Sequence, residues 1–74
     1  MLGTYLDNGF YLITRKQALT LGGGTLPSIG KERLVVHDGK WYWLARTMHR
    51  HQVEWTIRDA KGWHLVNGIA TLGD

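Results

Sequence analysis

The chain has no cysteine, a single proline and a single serine among its 74 residues. Without cysteine there is no disulfide to staple the fold and no thiolate to hold a metal. The same lack fits a reducing compartment. Ser28 stands outside any nucleophile-elbow pattern, so covalent catalysis has no obvious carrier. No apolar run approaches membrane-spanning length. The first residues lack the basic-then-apolar pattern of a signal peptide. The expectation is a soluble, cytosolic protein with no cofactor. A length of 74 allows one small domain, residues 1–74. Such a chain must bury most of its large side chains to offset an ordering entropy of roughly 1–2 kcal/mol per residue. Four Trp, three Tyr and one Phe supply much of that area. A homodimer is a second route to burial.

What the chain does have is turn chemistry. Asp38-Gly39 stands between two runs rich in β-branched and aromatic residues, a strong hairpin signal because a type I′ turn needs positive φ at both central positions. A two-residue loop pairs His37 with Lys40, Val36 with Trp41, Val35 with Tyr42, Leu34 with Trp43 and Arg33 with Leu44. Facing alternates along each strand. One face therefore carries Leu34, Val36, Trp41, Trp43 and Ala45, the expected core. The other carries Lys31, Arg33, Val35, His37, Lys40, Tyr42, Leu44 and Arg46, the expected basic, solvated face.

Upstream, Asn8-Gly9 marks a hairpin over residues 4–13. Thr14-Arg15-Lys16-Gln17 has capping-box form and opens a short helix that Gly22 would close in the left-handed region. Two turns are too few for stability in water, so the helix must lie on the sheet. Gly22-Gly23-Gly24 lacks the Lys-Ser/Thr continuation of a phosphate loop, and its helix precedes it, so it reads as a connector. Downstream, Thr47 to Gln52 is a polar continuation or a loop. Val53, Trp55 and Ile57 alternate with Glu54, Thr56 and Arg58, a half-buried strand. Asp59-Ala60-Lys61-Gly62 suits a three-residue hairpin turn that pairs Asp59 with Trp63. The two hairpins would then share an inner face holding Trp41, Trp43, Trp55 and Trp63. Asn67-Gly68 is a further turn, followed by a short last strand or a tail. The fold class is α+β, mainly β. It comprises an antiparallel sheet of five or six strands, a meander of hairpins or a small open barrel, with one short helix after the first hairpin.

Charge is uneven. Lys31, Arg33, Lys40, Arg46 and Arg50 face only Glu32 and Asp38 within residues 31–51, which accounts for the whole net charge of +3. Such clustering favours an acidic partner, nucleic acid first. The expected nucleic-acid-binding set is Lys31, Arg33, His37, Lys40, Tyr42, Arg46, Arg58 and His64. In it the cations meet phosphates and Tyr42 stacks on a base. Two alternatives accompany this reading. One is a protein-interaction module or small inhibitor that binds through Tyr5, Phe10 and Tyr11, in size and style like many phage- or plasmid-encoded modulators. The other, more remote, is a small ribonuclease using His37, His64, Lys40, Arg58 and Tyr42. His49-x-His51 places two imidazoles on one face of a strand, a spacing found in metal sites, but two histidines without further ligands do not make one.

Overall fold

The computed structural model describes residues 2–73. The elements in order are β1 (Thr4–Tyr5), β2 (Phe10–Ile13), α1 (Arg15–Leu21), β3 (Glu32–His37), β4 (Lys40–His49), β5 (Gln52–Asp59), β6 (Trp63–Val66) and β7 (Ile69–Leu72). The first five strands form one antiparallel sheet, ordered β1-β2-β5-β4-β3, and β6 and β7 form a separate hairpin. The fold is mainly β with one short helix after β2. The sheet is open, with β1 and β3 at its edges, and no barrel closes.

Asp38 and Gly39 both have positive φ, 50° and 77°. The β3–β4 ladder has the expected register throughout, from His37 opposite Lys40 to Arg33 opposite Leu44. Asn8 and Gly9 are likewise left-handed, and Tyr5 pairs with Tyr11. Thr14 caps α1 with a full capping box: its side chain accepts from the Gln17 N–H, and the Gln17 side chain accepts from the Thr14 N–H. The helix ends one residue later than expected. Gly22 has φ −81°, and the left-handed residue is Gly23. The N–H groups of Gly22, Gly23 and Gly24 donate to the carbonyls of Ala18, Thr20 and Leu19. The glycine triplet therefore spends its donors on closing the helix and leaves none to cradle a phosphate.

Two expectations fail, for related reasons. The first concerns facing. Ala18 on the helix is fully buried in a cluster with Ile13, Val35, Leu44 and Ile57. The helix thus covers the face bearing Val35 and Leu44, the one expected to be solvated. The error arises at the β4–β5 junction, where Arg50 and His51 form a tight turn with both φ positive, 50° and 67°. This turn sets Leu44 opposite Ile57, Arg46 opposite Trp55 and Trp43 opposite Arg58. Trp55 consequently lies on the helix side, against the core cluster, while Trp41 and Trp43 point the other way. All four indoles are only half-buried. Compact aliphatic chains, not the tryptophans, fill the space under so short a helix.

The second failure is the hairpin expected around residues 59–62. Gly62 is left-handed as expected, but β5 and β6 do not pair. A strand has two edges, and β5 uses one for β4 and the other for β2. The chain after Asp59 must leave the sheet. Ala60, buried, still donates its N–H to the Trp41 carbonyl, and β6 then pairs with β7 instead. The hairpin sits on the side of the sheet opposite the helix. Trp63 meets Trp43 edge to face there, at 5.5 Å between ring centres.

Candidate nucleic-acid interface

The eight residues expected to form one basic surface do not lie together. Arg33, His37, Lys40, Tyr42 and Arg46 share the helix-side face, whose middle is the core. Arg58 lies on the opposite face, beside Trp43. His64 is on the separate β6–β7 hairpin. Lys31 stands exposed just before β3 and lines a shallow hollow on the Arg58 side, with Phe10, Glu32 and Thr47.

Two of the cations are neutralised by acids. Arg58 donates from Nε and Nη2 to the two carboxylate oxygens of Glu32, each at 3.2 Å. It also lies over the rings of Phe10 and Trp43, at 5.7 and 5.9 Å. A guanidinium held by a bidentate carboxylate and two aromatic faces works as a clamp between strands. Lys40 pairs with Asp59 at 3.0 Å and lies 5.7 Å from the Tyr42 ring centre. The hydrogen bond from Lys40, with help from the Lys61 N–H, holds the Asp59 carboxyl below the usual carboxylate range. The same bond to Asp59 holds the Lys40 ammonium above its ordinary value.

This pair stands in a cleft of about 620 Å³ at the Asp38-Gly39 end, lined also by Tyr11, His37, Tyr42 and Lys61. The cleft brings together His37, Lys40 and Tyr42 of the ribonuclease set. Arg58 and His64 are not among the residues lining it.

The other end of the sheet differs. β3 stops pairing at Glu32 opposite Ala45, and β2 stops at Ile13 opposite Trp55. Past these points β4 and β5 pair only with each other. They run on as a two-stranded ribbon over residues 47–54. Met48, His49, Arg50, His51 and Gln52 are exposed there.

Arg33 and Arg46 stand at the base of the ribbon. The register makes them diagonal neighbours on one face, within reach of each other's long side chains. Among the described residues neither they nor Arg50 pairs with an acid. Arg33 donates instead to the Thr25 hydroxyl. Arg46 Nε and the indole N–H of its cross-strand neighbour Trp55 are buried without an acceptor.

Arg50 enters the sequence reading only as charge and His51 only as half of His49-x-His51, and neither is in the expected nucleic-acid-binding set. An Arg-His pair carries none of the turn signals of Asx-Gly, so nothing in the residue types announced the bend. His49 and His51 do not share a strand face, because His51 is in the turn. Among the described residues no group of three His, Asp or Glu is placed to hold a metal.

Tyr5, Phe10 and Tyr11 are partly consumed by packing. Tyr5 meets Tyr11 edge to face at 5.3 Å, Tyr11 packs on the core cluster, and Phe10 lies under Arg58. Among the described residues no helix is long and apolar enough to cross a membrane. Compared with known proteins, the chain matches no family model, no curated protein and no solved structure.

Proposed function

We propose that the chain is a small non-enzymatic nucleic-acid-binding module. Its contact surface is the free end of the β4–β5 ribbon, with Arg50 in the turn at its tip and Arg33 and Arg46 at its base. One observation carries the reading: Lys40 and Arg58 are neutralised by acids, whereas Arg33 and Arg46, diagonal neighbours on one face, and Arg50 at the ribbon's tip have no acid partner among the described residues, a property they share with Arg15, Lys16, Lys31 and Lys61. Phosphate oxygens supply acceptors and negative charge together. A two-stranded ribbon also has the width that a major groove admits.

Affinity then falls with salt. If three phosphates are neutralised, log K falls against log salt with a slope of about −2 to −3. Reversing Arg33 and Arg46 to Glu weakens binding and flattens that slope, with the sheet still folded by circular dichroism. Lys40→Met, which removes a cation already paired with Asp59, changes little. Binding indifferent to salt, or to the double reversal, would refute the assignment.

The protein-partner reading keeps one supporting observation. Tyr5 and the adjacent Leu6 are 56% and 47% exposed at the outer edge of the sheet. A stoichiometric protein partner, resistant to nuclease and lost on Tyr5→Ala, would favour it.

A further inference from the structure

The largest exposed apolar chains are not on the first hairpin. Ile69 and Leu72 of β7 are 69% and 62% exposed, and Leu65 and Val66 of β6 are 41% and 46%. The register of this hairpin follows from its two-residue turn, Asn67-Gly68, with Val66 opposite Ile69 and Trp63 opposite Leu72. Residues that flank such a turn exchange hydrogen bonds, and the pattern alternates from there. Ala70 and Leu72 therefore turn their N–H and C=O groups away from β6. β6 approaches β3 but is hydrogen-bonded as a strand only to β7. On its own far side β7 has no strand among the described residues.

A bare strand edge templates pairing, and proteins usually blunt it. The edges of the larger sheet are blunted: β1 has two residues, and β3 carries Glu32, Arg33 and His37. β7, Ile-Ala-Thr-Leu, has no charge and no proline. A lone two-stranded hairpin is also marginal in water, and three or more strands are needed for stability.

A compact monomer of this mass exposes about 4,600 Å² by the general scaling of area with mass. This chain, at 8.4 kDa, exposes 5309 Å², so it has surface to spare for a partner.

We infer that β7 pairs antiparallel with β7 of a second copy of this chain, making a four-stranded β6-β7-β7-β6 sheet across a twofold axis. The occupant is a second copy because the edge is uncharged and is its own complement in antiparallel register. With Ala70 and Leu72 presenting their backbone groups, Ala70 of each copy bonds Leu72 of the other. Thr71 then faces its own counterpart across the axis as a non-hydrogen-bonded pair, the closer of the two pair types. The inference is independent of the nucleic-acid reading, which uses the opposite end of β4.

The chain has no cysteine, so a single introduced thiol reports this register cleanly. Thr71→Cys is expected to form a disulfide-linked dimer under mild oxidation, because Cβ atoms across such a pair lie within disulfide reach. Thr20→Cys, on the exposed side of the helix, is expected to stay reduced. Sedimentation equilibrium of the unmodified full chain, from low micromolar to near millimolar, is expected to give twice the monomer mass at the upper end. Ile69→Lys is expected to shift it to monomer, with the circular dichroism spectrum unchanged. A monomer at every concentration overturns the inference. So does a dimer that ignores Ile69→Lys and leaves Thr71→Cys uncrosslinked, and so does a different protein found to occupy this edge.

Discussion

β4 is bounded by two tight turns of opposite character. At one end Asp38-Gly39 uses the residues that the left-handed region accepts most easily. At the other, Arg50 and His51 occupy the same region, at φ 50° and 67°, with neither glycine nor a short polar side chain. The two remaining Asx-Gly pairs, Asn8-Gly9 and Asn67-Gly68, follow the relaxed pattern. A non-glycine residue held in that region costs roughly 1–3 kcal/mol and persists only where something else maintains it. The relaxed turn borders a cleft lined by Lys61 and by Lys40, the cation next to the turn, which is already paired. The strained turn tips the ribbon whose arginines are not. The difference teaches that backbone strain stands at the end of β4 where Arg33, Arg46 and Arg50 have no acid partner among the described residues.

Exchanging the turns breaks this comparison most severely in one direction. Asp38→Arg with Gly39→His puts strain where none exists, and is expected to lower stability by about 1–3 kcal/mol in denaturant titration. The reverse change, Arg50→Asn with His51→Gly, is expected to raise stability by about 1–2 kcal/mol. For a domain of this size that is roughly 5–10 °C in melting temperature. An equal loss from both exchanges would mean that the Arg50-His51 turn is not strained.

The smallest effect concerns the Lys40–Asp59 pair. Because the folded state lowers the Asp59 pKa, the contribution from that carboxylate is complete above its ordinary value and fades as pH falls through the lowered one. The raised Lys40 pKa makes its share complete below the ordinary lysine value and lost as pH rises through the raised one. Asp59→Asn is expected to flatten both limbs of the stability–pH profile while leaving the binding of nucleic acid at the other end unchanged. Both partners are solvent-accessible, so the change in stability at neutral pH is expected to be slight.

How much was legible in the residues follows the same contrast. Asp38-Gly39 announced its bend, and the β3–β4 register came out pair for pair. Thr14 and Gln17 announced the helix start, because a capping box is a local device with a local signature. Arg50-His51 announced nothing. Without that turn the phase between Trp43 and Trp55 is unconstrained, so the expected core face is inverted on β3 and β4, while the expected inner face of β5, with Trp55 and Ile57, is the buried one. The pairing of β5 with β2 rather than β6 was also illegible, since it depends on a contact between Ile57 and Tyr11, far apart in the chain. Lys40 and Arg58 were recognisable as cations on a sheet. That Asp59 and Glu32 would claim them depends on which strands end up adjacent.

The most direct test of the central claim is to measure nucleic-acid binding by the Arg50→Asn, His51→Gly variant alongside its melting temperature. The account predicts a protein that melts higher and binds more weakly, with a shallower salt slope. A variant that is more stable and binds as well as the original would contradict it.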